Sequence, residues 1–186
     1  GAEGDLVHAR VLFGGNSVGN PWGAGGVIET LGGPLFTARN CVIADALKDG
    51  AFCYNPTRFE NCVVLRCDRG LTAVGEMTVL NCTLDGNKIG LLEHVGHLIV
   101  QNTIVSGSIM AGIEHDLGGS TPTVTHCNVW NPGATRGNYS GMADLTGQNG
   151  NISIAPRYKD ADADNFRLNF ASPGIDVADG ALAPAT

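Results

Sequence analysis

Five short segments decide how this chain folds: Asn40-Cys41-Val42-Ile43, Asn61-Cys62-Val63-Val64, Asn81-Cys82-Thr83-Leu84, Asn102-Thr103-Ile104-Val105 and His126-Cys127-Asn128-Val129. Their first positions lie 21, 20, 21 and 24 residues apart. A second series keeps step with the first: Gly26-Val27, Gly50-Ala51, Gly70-Leu71, Gly90-Leu91 and Gly112-Ile113, at spacings of 24, 20, 20 and 22. Two marks holding step over five repeats indicate stacked structural units. Leucine-rich repeats share this period but need a dense Leu framework that is absent here. Helical repeats need longer units with amphipathic helices.

Inside each unit the apolar residues alternate with period two, which indicates strands. Before the Asn position stand Phe36/Ala38, Thr57/Phe59, Met77/Val79, Leu98/Val100 and Pro122/Val124. After it come Cys41/Ile43, Cys62/Val64, Cys82/Leu84, Thr103/Val105 and Cys127/Val129. A third strand begins at Val27, Ala51, Leu71, Leu91 and Ile113. Three short strands joined by bends make one coil of a β-helix, and successive coils pair as parallel strands about 4.8 Å apart. The usual hand of parallel crossovers predicts a right-handed helix. The expected fold is all-β: a right-handed parallel β-helix, a solenoid of about five to six coils, with residues 1–130 as coils. Residues 131–186 form a long loop excursion and an irregular C-terminal cap of the same domain.

Stacking assigns roles to the repeated residues. Asn40, Asn61, Asn81 and Asn102 are expected as an inward asparagine ladder, hydrogen-bonded from coil to coil. The competing reading, glycan binding or glycosylation at Asn81-Cys82-Thr83, fits their regularity less well. Cys41, Cys62 and Cys82 also stack. Parallel in-register side chains suit a disulfide torsion poorly, so buried reduced thiols are expected. Cys53 and Cys67 fall elsewhere in the coil with no partner.

Composition agrees with this architecture. The chain has 186 residues, 27 of them Gly, with 6% aromatic and 16% charged residues. Glycine at this level suits tight turns and close stacking rather than helices. The net charge of −7 and the scattered Lys48, Lys88 and Lys159 argue against nucleic acid as a partner. No apolar run reaches the roughly 20 residues of a membrane span, and no signal-peptide pattern is present.

The coil pattern resembles the right-handed parallel β-helix repeats of pectate-lyase-like proteins. The last third narrows the resemblance. Val129-Trp130-Asn131-Pro132-Gly133, Asn138-Tyr139-Ser140-Gly141 and Gly150-Asn151-Ile152-Ser153-Ile154-Ala155-Pro156-Arg157-Tyr158 are similar to the closing segment of bacterial surface β-helix proteins. So are Asp164-Asn165-Phe166-Arg167-Leu168 and Ala171-Ser172-Pro173-Gly174-Ile175-Asp176. Ala155-Pro156 stands where that family usually has Asp-Pro. The resemblance covers about residues 33–180. It implies a secreted or cell-surface bacterial protein, with upstream coils of a longer chain or an oligomer partner as neighbours. It implies no particular reaction.

Chemistry is expected on the outer face of the third strand stack. If Val27, Ala51, Leu71, Leu91 and Ile113 point inward, the outward stripe is Ile28/Thr30, Phe52/Tyr54, Thr72/Val74, Leu92/His94 and Glu114/Asp116. Phe52, Tyr54, His94, Glu114 and Asp116 are the candidate binding residues for a polysaccharide or cell-surface glycan. A glycosidase needs two carboxylates about 5–9.5 Å apart, which Glu114 and Asp116 could supply. A lyase needs a base, and Tyr54 is the candidate on this stripe. Both are weighed against ordinary solvated surface.

Glu93 and His115 occupy equivalent positions in adjacent coils and read as a structural pair before an acid/base pair. His94 and His97 flank a bend without a matched carboxylate, which makes them weak metal ligands. Asp160-Ala161-Asp162-Ala163-Asp164 has the alternating oxygens of a calcium loop. Asn165 and Ala171 stand where such a loop needs Gly and Glu, so a solvated acidic turn is favoured over bound calcium. No cofactor is required by any of these readings. The leading functional expectation is a module for glycan contact, adhesion or display; the alternative is a carbohydrate-active enzyme, lyase or glycoside hydrolase. The apolar stripe of Ile28, Phe52, Tyr54, Val74 and Leu92 is expected to be covered by residues 131–158 or to be a glycan platform or oligomer contact.

Overall fold

The computed structural model describes residues 4–12, 26–116, 118–175 and 178–182; Asp176, the last residue of the closing motif, lies outside them. The chain winds as an all-β parallel solenoid of about five turns. Successive coils contribute one strand each to three six-stranded sheets, so six strand levels stack along those turns. The first sheet holds Gly4–Val7, Phe36–Arg39, Thr57–Glu60, Glu76–Leu80, His97–Gln101 and Ser120–Thr125. The second holds Arg10–Leu12, Val42–Ala44, Val63–Leu65, Thr83–Asp85, Ile104–Ser106 and Asn128–Trp130. The third holds Gly26–Thr30, Asp49–Cys53, Arg69–Ala73, Ile89–Glu93, Ala111–His115 and Tyr139–Ser140. Among the described residues there is no α-helix, only a 3-10 turn at Gly180–Leu182, and no helix long and apolar enough to cross a membrane.

The core lies inside the coils, as columns of equivalent residues. Ile43, Val64, Leu84, Val105 and Val129 form one column and Ala51, Leu71, Leu91 and Ile113 another; all are fully buried. Each Val, Leu or Ile of these columns taken from water stabilises by roughly 1.5–3 kcal/mol. Glycine is required where the second and third sheets meet. A Cβ at Gly50 would lie 2.6 Å from the Gly70 carbonyl oxygen, and one at Gly90 would lie 2.6 Å from that of Gly112. That column therefore admits no side chain.

The first coil is out of step with the expectation by one residue. Gly26 pairs with Asp49, and Ile28 pairs with Ala51, so the coil spacing there is 23 rather than 24. Ile28 consequently turns inward onto the core, and Glu29 takes its expected place on the outer stripe beside Phe52. Thr30 likewise pairs with Cys53 and is buried. A one-residue shift exchanges the two faces of a strand.

The asparagine expectation needs a second correction. Asn40, Asn61, Asn81 and Asn102 do stack, but each adopts a left-handed backbone, with φ between 48° and 54°. Asn tolerates that conformation where most residues do not. Asn40 is exposed and the other three are half-buried, so the column sits at an outer corner. The amide of Asn102 is taken by the backbone of Asp179.

The inward amides belong to Asn87, Asn131 and Asn151. Each accepts a hydrogen bond from a backbone N–H of the preceding coil, at Cys67, Ser108 and Cys127 respectively, over 2.7–2.9 Å. Each also donates to a carbonyl of that coil, at Val64, Val105 and Val124. Buried backbone groups at the bends are satisfied in this way.

The six cysteines are buried and unlinked. Burial pushes the thiols of Cys53 and Cys67 up to about 11 and that of Cys127 up to about 12, which keeps them protonated and unreactive.

Residues 131–158 close the C-terminal end of the solenoid instead of covering the stripe. Tyr139–Ser140 pairs with Ile113 and Glu114, Ile152 bridges to Asn128, and Met142 and Leu145 pack onto the end of the core. A cover along the coils does exist, on a different face. The tail clasps Asn128, whose amide donates to the Ile154 carbonyl and whose oxygen accepts the Ile154 N–H. An antiparallel hairpin, Tyr158–Asp160 with Asn165–Leu168, then lies on the second sheet. Its Tyr158 hydroxyl meets Ser106 Oγ at 2.8 Å, and Asp164 reaches Arg66 at 2.6 Å and Arg10 at 3.2 Å.

Candidate functional site

Strand alternation sends Phe52, Thr72, Leu92 and Glu114 out of the third sheet, and Tyr54, Val74, His94 and Asp116 follow them at the next bend. Small side chains on one coil between larger ones on its neighbours make a trough. Thr72 and Val74 form the floor, Phe52 and Tyr54 one wall, and Leu92, His94 and Val95 the other. Arg69 and Asp116 complete an open cavity of about 430 Å³, within the roughly 300–1,000 Å³ of ligand clefts. Counted along the strand at about 3.3 Å per residue, Arg69 to Val74 spans roughly 16 Å; the walls stand two strand spacings, about 10 Å, apart.

Most of the lining is apolar. The Phe52 and Tyr54 rings stack at 5.2 Å between centroids, tilted by 59°. Tyr54 is half-buried, whereas Phe52 is nearly covered. Polar groups sit at the two ends. At one end Arg69 Nη2 donates to Asp49 Oδ2 at 2.6 Å, and the Thr72 hydroxyl donates to Asp49 Oδ1. Asp49 is fully buried beneath these partners. At the other end His94 Nδ1 and Asp116 Oδ2 are 2.8 Å apart, both side chains being about half exposed. Asp116 fixes one ring nitrogen and leaves Nε2 for a ligand.

The structure thus brings Phe52, Tyr54, His94 and Asp116 into one cavity and leaves Glu114 out of its lining. Glu114 Oε1 is held by Arg136 at 2.6 Å, while Asp116 pairs with His94. The two carboxylates are therefore held by different partners. Glu93 is fully buried and hydrogen-bonded to His115 Nδ1, the pairing that coil stacking predicts. His97 is bonded to Ser120 Oγ at 2.6 Å, away from His94's partner.

The acidic run does not converge either. Asp160 Oδ1 accepts the Ala163 N–H, as in a turn, and Asp164 is turned onto Arg66 and Arg10. Asp162 lines a separate cavity beside Asp85 and Arg66. Among the described residues, no group of three or more His, Cys, Asp or Glu side chains could hold a metal ion.

Sequence reading missed Arg69, Asp49 and Val95. A signal for the first two exists: opposite charges one coil apart. Asp49/Arg69 repeats a rule seen at Arg39/Glu60, Asp45/Arg66, Asp68/Lys88 and Glu114/Arg136, with spacings of 20 to 22 residues. Parallel in-register stacking places such residues side by side, as cross-strand pairs do in any sheet.

Comparison of the chain with protein-family models, curated proteins and solved structures finds no match.

Proposed function

We propose that the chain is a secreted or cell-surface β-helix module that contacts glycan through the trough on its third sheet. The single observation that carries this reading is the open trough itself: an aromatic wall of Phe52 and Tyr54 faces the oriented imidazole of His94. Sugar rings present apolar C–H faces and polar edges, and a wall of rings with polar groups at its ends complements both. The resemblance of residues 129–176 to bacterial surface β-helix proteins supports the compartment. Calorimetric titration of neutral oligosaccharides into the wild type and Tyr54→Ala tests it. The variant is expected to bind at least about tenfold more weakly; equal binding by both rejects the trough as the contact site.

A second reading, a carbohydrate-active enzyme, draws support from one feature, the His94–Asp116 pair beside Tyr54. An imidazole held by a carboxylate is suited to general-base work. The Glu114–Asp116 pair supports it less, since Arg136 holds Glu114 outside the trough. Release of reducing ends, or of unsaturated uronates read by absorbance, separates this reading from simple contact.

A further inference from the structure

Resting on the glycan reading above, we propose that the trough is selective for uncharged glycans and excludes both uronate-type and amine-bearing chains. The charges that line the trough are already paired within the fold. Arg69, the cation of the cavity, is bound to Asp49 at 2.6 Å, and its Nε is buried out of reach of a ligand. Asp49 is fully buried and also takes the Thr72 hydroxyl. A ligand carboxylate reaching Arg69 would share a guanidinium whose charge the buried Asp49 already balances, so it would gain no net cation and would stand beside a second carboxylate. The chain's net charge of −7 adds a repulsive mean field for any polyanion.

Cationic ligands meet the mirror problem. Asp116, the carboxylate that lines the cavity, is paired with His94 at 2.8 Å, and an amine would have to compete with that imidazole. The surface left for recognition is the Tyr54 ring, the aliphatic side chains of Val74, Leu92 and Val95, and His94 Nε2, which can exchange a hydrogen bond with a hydroxyl. That combination reads ring faces and hydroxyls, not charge.

The test is a titration of three matched series into the wild-type chain: neutral cello-, xylo- and manno-oligosaccharides, galacturonate oligomers, and glucosamine oligomers. A Val95→Lys variant places one unpaired cation at the half-exposed rim. The wild type should bind a neutral series at least about tenfold more tightly than either charged one. Val95→Lys should gain galacturonate binding and lose part of its affinity for the neutral ligands, whose wall it alters. A charged series that binds the wild type as tightly as the neutral one overturns the proposal. So does a Val95→Lys protein that still rejects galacturonate while binding neutral chains. If no series binds at all, the glycan reading itself falls, an outcome distinct from a failure of charge selectivity alone.

Discussion

On the second sheet, Leu65 points away from the core and is 1% exposed, whereas Val95, at the rim of the third sheet, is 50% exposed. Both sheets carry apolar residues on their outer faces, and both are built on the same coil repeat. The difference lies in the polar anchors each face offers. The second sheet presents Arg66, Ser106 and Asn128, and the C-terminal tail meets each of them through Asp164, Tyr158 and Ile154. On the third sheet the charges beside the trough are paired between neighbouring coils, Arg69 with Asp49 and Asp116 with His94. An apolar outer stripe therefore announces that something packs there. Arg66 and Ser106 are also bonded within the coils, to Asp45 and Asp85, yet each takes a further partner from the tail, and such shared anchors decide whether the chain's own tail packs there.

The sharpest way to break this comparison is to remove the cover. Ending the chain after Ala155 keeps Asn151 and Ile152, which cap the last coil, and deletes the hairpin with Tyr158, Phe166 and Asp164. Exposure of Leu65 and its neighbours, with loss of the hairpin's own packing, should cost about 4 kcal/mol. It should also raise binding of a hydrophobic dye. Thermal unfolding measures the first effect, and an unchanged midpoint would show that the hairpin merely rests on the sheet.

A smaller effect comes from the ionic anchor. Arg66 lies between Asp45, at 2.7 Å, and Asp164, at 2.6 Å, with its side chain 44% exposed. Exposed pairs are worth little, so Arg66→Ala should cost about 1 kcal/mol at low salt and less at high salt. The pH dependence has a definite sign. The Arg66 guanidinium holds the Asp45 carboxyl below the usual carboxylate range. A group depressed on folding contributes stability above its unfolded value, near 4, and loses that contribution as pH falls through the folded value. The gap between wild type and Arg66→Ala should accordingly narrow below about pH 4. Denaturant titration across that range measures it; a gap that widens on acidification contradicts the role given to Asp45.

These contrasts also mark how far the sequence could be read. The inward columns were legible because a period of two inside a period near twenty has one strand solution. The sealed cysteines and the Glu93–His115 contact followed from the same stacking. The shift at Ile28 was not legible, because Gly26 looks like the other repeat glycines and only pairing with Asp49 exposes the missing residue. The outer Asn corner was misread because a repeated Asn suits a side-chain ladder and a left-handed bend equally well. At Asn61 and its equivalents the backbone φ of about 54° supplies the reason for the residue. Which face the tail covers depends on contacts between residues about a hundred positions apart, such as Arg66 and Asp164, and no local pattern carries them.

The least perturbing substitution makes the finest test. Val95 stands half exposed at the trough rim, and among the described residues nothing packs over the trough. Replacing it with Ser removes little buried apolar area, so stability should change by no more than about 0.5 kcal/mol. The same residue lines the wall opposite Tyr54, so affinity for a neutral oligosaccharide should fall severalfold if that wall contacts the ligand. Unfolding and titration on one sample give the two numbers together. Unchanged stability with weakened binding identifies the third sheet's outer face as surface kept open for a ligand. A large loss of stability instead would mean that Val95 is structural and that the two faces differ less than their exposure suggests.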